Sequence, residues 1–165
     1  MNRITYKIFN GLKTVIEENL VLKICLVSEL THMGNNDHNS WYSSGNELVK
    51  EGKNDDALIA YDKALEIDPK HVGTWNNKGI VLARLKRFEE AITCYDKAIE
   101  LNPEYTNAWY SKANALRNFA QSLVDKANDD RANAPKIINR SIALFDTAEK
   151  CYDMGETLSG KKHES

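Results

Sequence analysis

The residues of this chain that could perform catalysis or bind a metal are its histidines and cysteines. They are His32, His38, His71, His163, Cys25, Cys94 and Cys151. Histidine transfers protons near neutral pH, and a cysteine thiolate is both a nucleophile and a metal ligand. Either chemistry needs several such residues close together, but these are scattered along the chain. No two cysteines have the spacing of a metal or redox pair, so we expect reduced thiols packed as small apolar side chains.

Motifs that carry catalysis are also missing from the sequence. It contains no GxSxG nucleophile motif, no HExxH zinc motif and no glycine-rich phosphate loop. Its Asp and Glu residues alternate with Lys and Arg, as they do on solvated helix surfaces. We therefore predict a protein that is not an enzyme and that uses neither a cofactor nor a metal.

Charge and hydropathy argue against two classes of partner. The formal net charge of the 165 residues is −2, without the basic excess that is typical of nucleic-acid binding. No apolar run reaches the roughly 18 residues that a membrane-spanning helix needs. The most apolar run near the start, Leu20–Val27, is short and contains Lys23. We expect a soluble, cytoplasmic protein with no nucleic-acid and no membrane partner.

A regular period organises most of the sequence. Trp41, Trp75 and Trp109 follow one another at intervals of 34 residues. Other small, aromatic and proline residues keep that spacing in the first two copies. The pairs are Gly45 and Gly79, Ala57 and Ala91, Tyr61 and Tyr95, Ala64 and Ala98, and Pro69 and Pro103. Apolar and small residues recur at helical spacing twice within each copy, which predicts two helices per copy.

This pattern of Trp, Gly, Ala, Tyr, Ala and Pro, with its period of about 34 residues, resembles that of the tetratricopeptide repeat family. The resemblance implies an all-α superhelix with about three helix pairs, an N-terminal helix and a C-terminal capping helix. The predicted units are an N-terminal amphipathic extension (1–37), two full repeats (38–71 and 72–105), a degenerate third repeat with an insertion and a capping helix (106–157), and a disordered tail (158–165).

Three kinds of residue are predicted to shape each helix pair. The first helices begin near residues that can accept a hydrogen bond from free backbone N–H groups. These residues are Asn39, Ser40, Thr74 and Thr106. The tryptophans fill the space between the two helices of a pair. Gly45 and Gly79 face Ala57 and Ala91, so that the helices can approach closely, and Gly52 ends the first helix.

The third copy departs from the pattern after Asn118. Where the family has Ala, Tyr and Ala, the register gives Asp125, Asp129 and Ala132. The pattern returns as Ser141, Phe145 and Ala148, which indicates an insertion of about 16 residues that lengthens the first helix or its connection. A last helix over about 136–157 would close the stack, because a bare terminal repeat exposes an apolar face.

Residues 1–37 show no clear repeat but carry a long apolar stripe. Its members are Ile4, Ile8, Leu12, Val15, Ile16, Leu20, Ile24, Val27 and Leu30. Their spacing of three and four residues predicts an amphipathic helix. Three interpretations stay open. The helix caps the first repeat, or it pairs with a copy of itself in a homodimer, or it lies in the protein's own groove or is a decayed repeat with Gly11 at the glycine position.

The resemblance places the first helix of each pair along a concave groove. The groove positions correspond here to Tyr42, Asn46, Lys50, Asn76, Ile80, Arg84, Tyr110, Asn114 and Arg117. Asparagine both donates and accepts hydrogen bonds, which suits an extended peptide backbone. Lys50, Arg84 and Arg117 would favour an acidic segment. We predict an adaptor that binds a peptide of a partner protein. The alternative is a structural or oligomerisation module that acts through its N-terminal helix and end caps.

One specialised binding site of the family can be compared with the sequence. Co-chaperones that resemble this chain hold the C-terminal carboxylate of heat-shock chaperones with two asparagines and three cations. The asparagines correspond to Asn46 and Asn77, whereas the basic positions hold Tyr42, Asn107 and Ser111. Without cations, such a clamp loses the charge-assisted hydrogen bonds that supply its affinity. We therefore do not expect a chaperone clamp.

Overall fold

The computed structural model describes residues 37–161, which form six helices and no strand. They are α1 (His38–Lys50), α2 (Asn54–Ile67), α3 (Val72–Arg84), α4 (Phe88–Leu101), α5 (Thr106–Asp129) and α6 (Ala134–Lys161). Each odd-numbered helix packs against the helix that follows it, giving three pairs, and each of the first two pairs packs against the next. The all-α prediction is confirmed for these residues. The predicted N-terminal helix lies outside them.

The turn between the two helices of a pair contains one residue in the left-handed conformation. Gly52 has φ of 78° in the first pair, and Lys86, at the same position of the second pair, has φ of 60°. Their N–H groups donate to the carbonyls of Val49 at 3.1 Å and Ala83 at 3.0 Å. Gly52 therefore ends the first helix as predicted. Lys86 adopts the same conformation although a side chain opposes it sterically.

The N-terminal caps of the first helices differ from those predicted. The carboxylate of Asp37 accepts a hydrogen bond from the N–H of Ser40 at 2.7 Å. Nδ1 of His71 accepts one from the N–H of Thr74 at 3.1 Å, and Tyr105 begins α5 without a side-chain cap. The four residues predicted as caps lie inside the helices. That prediction was wrong because the cap position of the three repeats holds Asp, His and Tyr in turn.

In each of the first two pairs, a glycine of the first helix lies directly against a tyrosine ring of the second helix. A Cβ added to Gly45 would lie 2.5 Å from Cε1 of Tyr61, and one added to Gly79 would lie 2.6 Å from Cε1 of Tyr95. Both rings are fully buried. The atoms nearest to these glycines thus belong to a tyrosine ring one helical turn beyond the predicted alanines, Ala57 and Ala91, which are also buried.

The tryptophans are half-buried rather than buried, so their prediction as space fillers within each pair was wrong in part. The indole N–H of Trp75 donates to the carbonyl of Pro69 at 2.9 Å, and that of Trp109 donates to Pro103 at 2.9 Å. Both prolines end the preceding repeat. These tryptophans therefore connect one pair to the last turn before it, as well as packing on the core.

The insertion in the third pair is longer than predicted. The hydroxyl of Tyr152 donates to Oδ1 of Asn114, as the hydroxyl of Tyr61 donates to Oδ1 of Asn46. Tyr152 therefore takes the tyrosine position that had been predicted for Phe145. Because Tyr152 lies seven positions beyond Phe145, the insertion is longer by the same seven positions. The prediction of about 16 inserted residues was wrong.

Both helices of the third pair share the insertion. α5 has 24 residues and α6 has 28, against 13 and 14 in the first pair. At about 1.5 Å per residue, the turn of this hairpin lies about 16 Å beyond those of the other pairs. The ring of Phe119 stacks on Phe88 at 5.7 Å, which supports the extension against the start of α4.

The C-terminal end of α6 lies beyond its predicted limit. The helix continues to Lys161, so the prediction of a disordered tail from residue 158 was wrong for residues 158–161. Residues 162–165 lie outside the described part of the chain. None of the helices between residues 37 and 161 is long and apolar enough to cross a membrane.

Candidate peptide-binding groove

A concave surface runs across the first helices of the three pairs. α1 and α3 enclose a concavity of about 470 Å³, floored by Tyr61 of α2. α3 and α5 enclose a second one of about 270 Å³, floored by Tyr95 of α4. Ile80 and Arg84 line both concavities. We refer to the two together as the groove.

The groove brings together five of the nine residues predicted to line it. They are Asn46, Lys50, Ile80, Arg84 and Asn114. They share helical spacing along α1, α3 and α5, because side chains three or four residues apart lie on one face of a helix. Val49 and Ala83 add apolar surface between the polar residues.

Two asparagines form the polar centre of the groove. Oδ1 of Asn46 accepts hydrogen bonds from the hydroxyl of Tyr61 at 2.8 Å and from Nδ2 of Asn77 at 3.0 Å. Nδ2 of Asn77 also donates to the hydroxyl of Tyr42 at 3.2 Å. Among the described residues, Nδ2 of Asn46 donates to none. The network therefore fixes the amide of Asn46 and leaves both its N–H groups available to a ligand.

The protonation state of Tyr61 supports this arrangement. Burial, together with the neighbouring Tyr42, raises the pKa of Tyr61 to about 12. The hydroxyl therefore stays protonated at neutral pH and can donate, and in the structure it donates to Oδ1 of Asn46 at 2.8 Å. Since that oxygen accepts from two sides, the amide nitrogen is the end that remains free.

Asn76 does not line the groove, and its prediction as a groove residue was wrong. It is 4% exposed, and its Oδ1 has no hydrogen-bond partner among the described residues. Its Nδ2 makes one long contact of 3.4 Å with Oδ1 of Asn77. Asn77, the next residue along the helix, lies in the groove instead. The signal for Asn77 was in the sequence, because it is one of the two asparagines that match the chaperone clamp.

The three remaining predicted residues lie at the edges of the groove or outside it. Tyr42 is half-buried and reaches the groove through its bond to Asn77. Tyr110 packs inside the third pair, where its ring centroid is 5.8 Å from that of Tyr152. Arg117 lies against the Tyr152 ring at 5.9 Å and lines a different concavity with α6. It lies outside the two concavities of the groove, because no helix pair follows the third one within residues 37–161 to form another concavity beside it.

The positive charge of the groove comes mainly from one residue. The ammonium of Lys50 lies 2.7 Å from the carboxylate of Glu47, which compensates its charge. Arg84 forms no ion pair with the described residues. Arg84 is exposed and lies where the two concavities meet, so it can reach a ligand in either one.

Two of the three cysteines lie in the described part of the chain and are buried and unpaired. Burial raises the pKa of the Cys94 thiol to about 11 and also raises the pKa of Cys151. Both thiols are therefore protonated at neutral pH and pack as small apolar groups, as the sequence predicts. Residues 37–161 contain no group of three or more side chains that could hold a metal ion.

Sequence models of one family match the helices that line the groove. A model described as a tetratricopeptide repeat matches residues 72–105. Two further models of the repeat match residues 45–86 and 94–127. The chain belongs to the tetratricopeptide repeat family. The matches end at residue 127, within α5, and therefore leave out α6, the helix that carries half of the insertion.

Solved structures of tetratricopeptide repeat domains show the same fold. The first such domain of Spaghetti (RPAP3), bound to the HSP90 peptide SRMEEVD, is 26% identical with a TM-score of 0.50. The match covers 74% of this chain and 94% of that one. The second domain of Spaghetti, bound to the same peptide, is 20% identical with a TM-score of 0.50, over 73% and 98% of the two chains. A search of curated proteins gives no match. The family models and the first Spaghetti domain together show that residues of this chain adopt the tetratricopeptide fold.

Proposed function

We propose that this chain is a non-enzymatic adaptor that binds an extended segment of a partner protein in the groove. The observation that carries the proposal is the fixed amide of Asn46, which leaves its N–H groups free at the centre of the groove. The bond from Asn77 joins α1 to α3, so this donor sits at the junction of two repeats. The first domain of Spaghetti, whose structure holds a bound peptide, supports a peptide segment as the ligand.

An extended segment fits the chemistry of the groove better than a helix does. The backbone of an extended peptide has free carbonyls, whereas a helix uses its carbonyls internally. Asn46 can donate to such a carbonyl, and Asn114 offers a second amide farther along the groove. Ile80, between them, provides apolar contact for one side chain of the ligand.

We propose a moderate preference for acidic segments, and it rests on Arg84. Lys50 contributes less because Glu47 compensates its charge, and Arg117 lies outside the groove. One exposed cation adds roughly 1 kcal/mol or less to binding at physiological salt. The acidic preference is therefore weaker than three cations along one edge would give.

The arrangement around Asn77 argues against a chaperone-type carboxylate clamp. Tyr42 stands where such a clamp has a cation, and its hydroxyl accepts a hydrogen bond from Asn77. Nδ2 of Asn77 is thus bonded to Tyr42 and Asn46 and has no proton left for a carboxylate. We propose that this chain binds the peptide SRMEEVD weakly, although similar domains hold it.

The remaining predictions about partners and location stay predictions. A homodimer through the N-terminal helix concerns residues that lie outside the described part of the chain. A cytoplasmic location likewise stays a prediction.

A peptide-display selection on the purified full chain tests the proposal. Parallel selections use Asn46→Ala, Arg84→Ala and the matched control Lys97→Ala, which changes an exposed cation on α4, away from the groove. We expect the wild type and the control to enrich the same peptides. Asn46→Ala should enrich none of them, and Arg84→Ala should lose the acidic ones. Enrichment that is unchanged by Asn46→Ala and Arg84→Ala would contradict binding in the groove.

A further inference from the structure

The last helix carries an exposed apolar stripe in its inserted part. Ile138, Ile142 and Phe145 are 43%, 52% and 38% exposed. They are four and three residues apart, so they lie on one face of α6. Within residues 37–161, α6 packs mainly against α5, and it also contacts α4 through the ion pair of Arg140 with Glu89 at 3.3 Å.

The second pair shows what normally covers this face. Phe88 precedes Tyr95 by seven positions, just as Phe145 precedes Tyr152, so the two phenylalanines are equivalent in their repeats. Phe88 is 7% exposed because Phe119, from the first helix of the next pair, stacks on it. No pair follows α6 in the described part of the chain, so Phe145 keeps the exposure that Phe88 loses.

Farther along α6, acidic residues occupy the positions at which the second helix of the earlier pairs contacts the next pair. In α2 these positions hold Leu58 and Leu65, which are buried, and in α4 they hold Ile92 and Ile99. In α6 they hold Glu149 and Glu156, both exposed. Two carboxylates in place of two buried aliphatic side chains would prevent another repeat of this kind from stacking here.

A concavity of about 430 Å³ lies beside these glutamates. Its lining includes the carboxylates of Asp146, Glu149, Asp153 and Glu156, together with the rings of Phe145 and Tyr152. Arg117 is the only cation of the described residues that lines it. The face therefore has an apolar end at Ile138, Ile142 and Phe145, and a net negative end. We call the two ends together the end face.

We propose that the end face is a second docking surface, which binds a basic amphipathic helix of a partner protein. From Ile138 to Glu156 the face is about 27 Å long, the length of a helix of about 18 residues. Apolar anchors at helical spacing are the pattern by which one helix docks on another. The net negative end of the end face favours a ligand helix that carries Lys or Arg beside its apolar stripe.

The same charges argue against a second copy of this chain on the end face. In a symmetric contact, each copy presents the same patch to the other. In a parallel contact the carboxylates of the two copies would face each other, and in an antiparallel contact they would be buried against the apolar end of the partner without a cation, so both arrangements are unfavourable. The proposal is independent of the groove, because Arg117 is its only residue that was predicted to line the groove.

Fluorescence anisotropy with two designed peptides tests this proposal on the full chain. The probe is a labelled helical peptide of about 18 residues, long enough to span the end face, with leucines along one side and lysines flanking them in one half. Its control has glutamate in place of each lysine. We expect the wild type to bind the lysine peptide and to bind the glutamate peptide at least tenfold more weakly. Equal binding of the two peptides, or no binding of either, would overturn the proposal.

Two sets of variants locate the binding. Ile142→Glu should weaken binding of the lysine peptide about tenfold, since a central apolar anchor typically contributes this much. The matched control Ile59→Glu changes an exposed isoleucine of α2 and should leave the affinity unchanged. The pair Glu149→Lys and Glu156→Lys should reverse the preference in favour of the glutamate peptide. Equal loss in Ile142→Glu and Ile59→Glu would mean non-specific adsorption and would overturn the proposal.

Two further observations separate this proposal from its rivals. Asn46→Ala should leave the affinity for the lysine peptide unchanged, because Asn46 lies in the groove and not on the end face. Loss of binding at the groove and loss of binding at the end face can therefore be told apart. Sedimentation of the wild type and Ile142→Glu should give the same mass. A dimer that Ile142→Glu dissociates would assign the end face to a second copy and overturn the proposal.

Discussion

The first and third pairs each press a tyrosine ring against a glycine, but they take the two residues from opposite helices. In the first pair, the glycine is Gly45 on α1 and the ring is Tyr61 on α2. In the third pair, the glycine is Gly155 on α6 and the close ring is Tyr110 on α5. Ala113 stands at the place of Gly45, with a Cβ that the first pair has no room for. A glycine on either helix of a pair can therefore accept the tyrosine ring of the other helix.

What the two pairs keep in common is the bond between tyrosine and asparagine. Tyr61 donates to Asn46 and Tyr152 donates to Asn114. Of the two asparagines, Asn46 has a further partner in the next repeat, Asn77. The bond within a pair is therefore the same in the first and third pairs. The two differ in their contacts with a following pair: the first pair bonds to the second across the groove, whereas no pair follows the third in the described residues, and its end face stays exposed.

The largest expected effect is on the glycine contact of the first pair. Gly45→Ala should lower the free energy of unfolding by about 2–3 kcal/mol, because its Cβ would lie 2.5 Å from the buried ring of Tyr61. Gly155→Ala should cost less, since its Cβ would meet the half-buried ring of Tyr110 at 2.9 Å, which has more room to move. Urea denaturation followed by circular dichroism measures both. A larger cost for Gly155→Ala would refute the comparison.

The next effect concerns the second pair, in which Asn76 takes the place of Tyr42 and Tyr110. Asn76→Leu should raise the free energy of unfolding by about 1–2 kcal/mol, because it removes a buried oxygen that has no hydrogen-bond partner among the described residues. The neighbouring Asn77→Leu is the matched control and should lower it, since Asn77 bonds to Asn46 and Tyr42. If both variants were destabilised to the same extent, Asn76 would have a partner in solution.

The caps of α1 and α3 differ in their response to pH. His71 caps α3 through an unprotonated Nδ1, whereas Asp37 caps α1 with a carboxylate. Burial, and then the charge of His38, lower the pKa of His71 below 6.5, while Asp68 acts in the opposite direction. A lowered folded pKa means that the unfolded chain binds more protons, so stability is complete above pH 6.5 and decreases as the pH falls below it.

Replacing one cap by the other tests this difference. Between about pH 7.5 and 5.5, the wild type should lose up to about 1 kcal/mol of unfolding free energy, the typical contribution of a cap. His71→Asp copies the cap of α1 and should reduce this loss. Thermal unfolding of both proteins across this pH range measures the loss. An equal loss in His71→Asp would show that His71 does not cause the pH dependence of stability.

The smallest effect lies in the turns. Lys86→Gly should stabilise the chain by about 0.5–1 kcal/mol, because glycine adopts the positive φ at no steric cost. Gly52→Lys makes the opposite change at the equivalent position of the first pair and should destabilise it by a similar amount. Chemical denaturation of the two variants resolves the sign. Stabilisation by both would show that the two turns are not equivalent.

The sequence predicted the helix pairs and much of the groove because those depend on residues that recur at the same position of each repeat. It misplaced the second helix of the third pair for a definite reason. Ser141, Phe145 and Ala148 have the same spacing as Ala148, Tyr152 and Gly155. Local pattern cannot choose between two such sets, whereas the hydrogen bond from Tyr152 to Asn114 does.

Asn76 and His71 show two other limits of reasoning from sequence. Asn76 and Asn77 are adjacent asparagines, about 100° apart around a helix, and residue type alone does not indicate which of them faces the groove. His71 is not among the usual capping residues, so only the geometry reveals that its ring accepts the bond from Thr74. In both cases tertiary packing, not residue type, sets the outcome.

The most direct test of groove binding is an NMR titration of the full chain with a peptide from the display selection. The side-chain amide signals of Asn46 and Asn114 should shift with the peptide concentration, because both amides line the groove. The signal of Asn133, whose amide donates to Asp130 in the turn between α5 and α6, serves as the internal reference and should stay in place. Shifts confined to residues of α6, with Asn46 unchanged, would contradict the groove as the binding site.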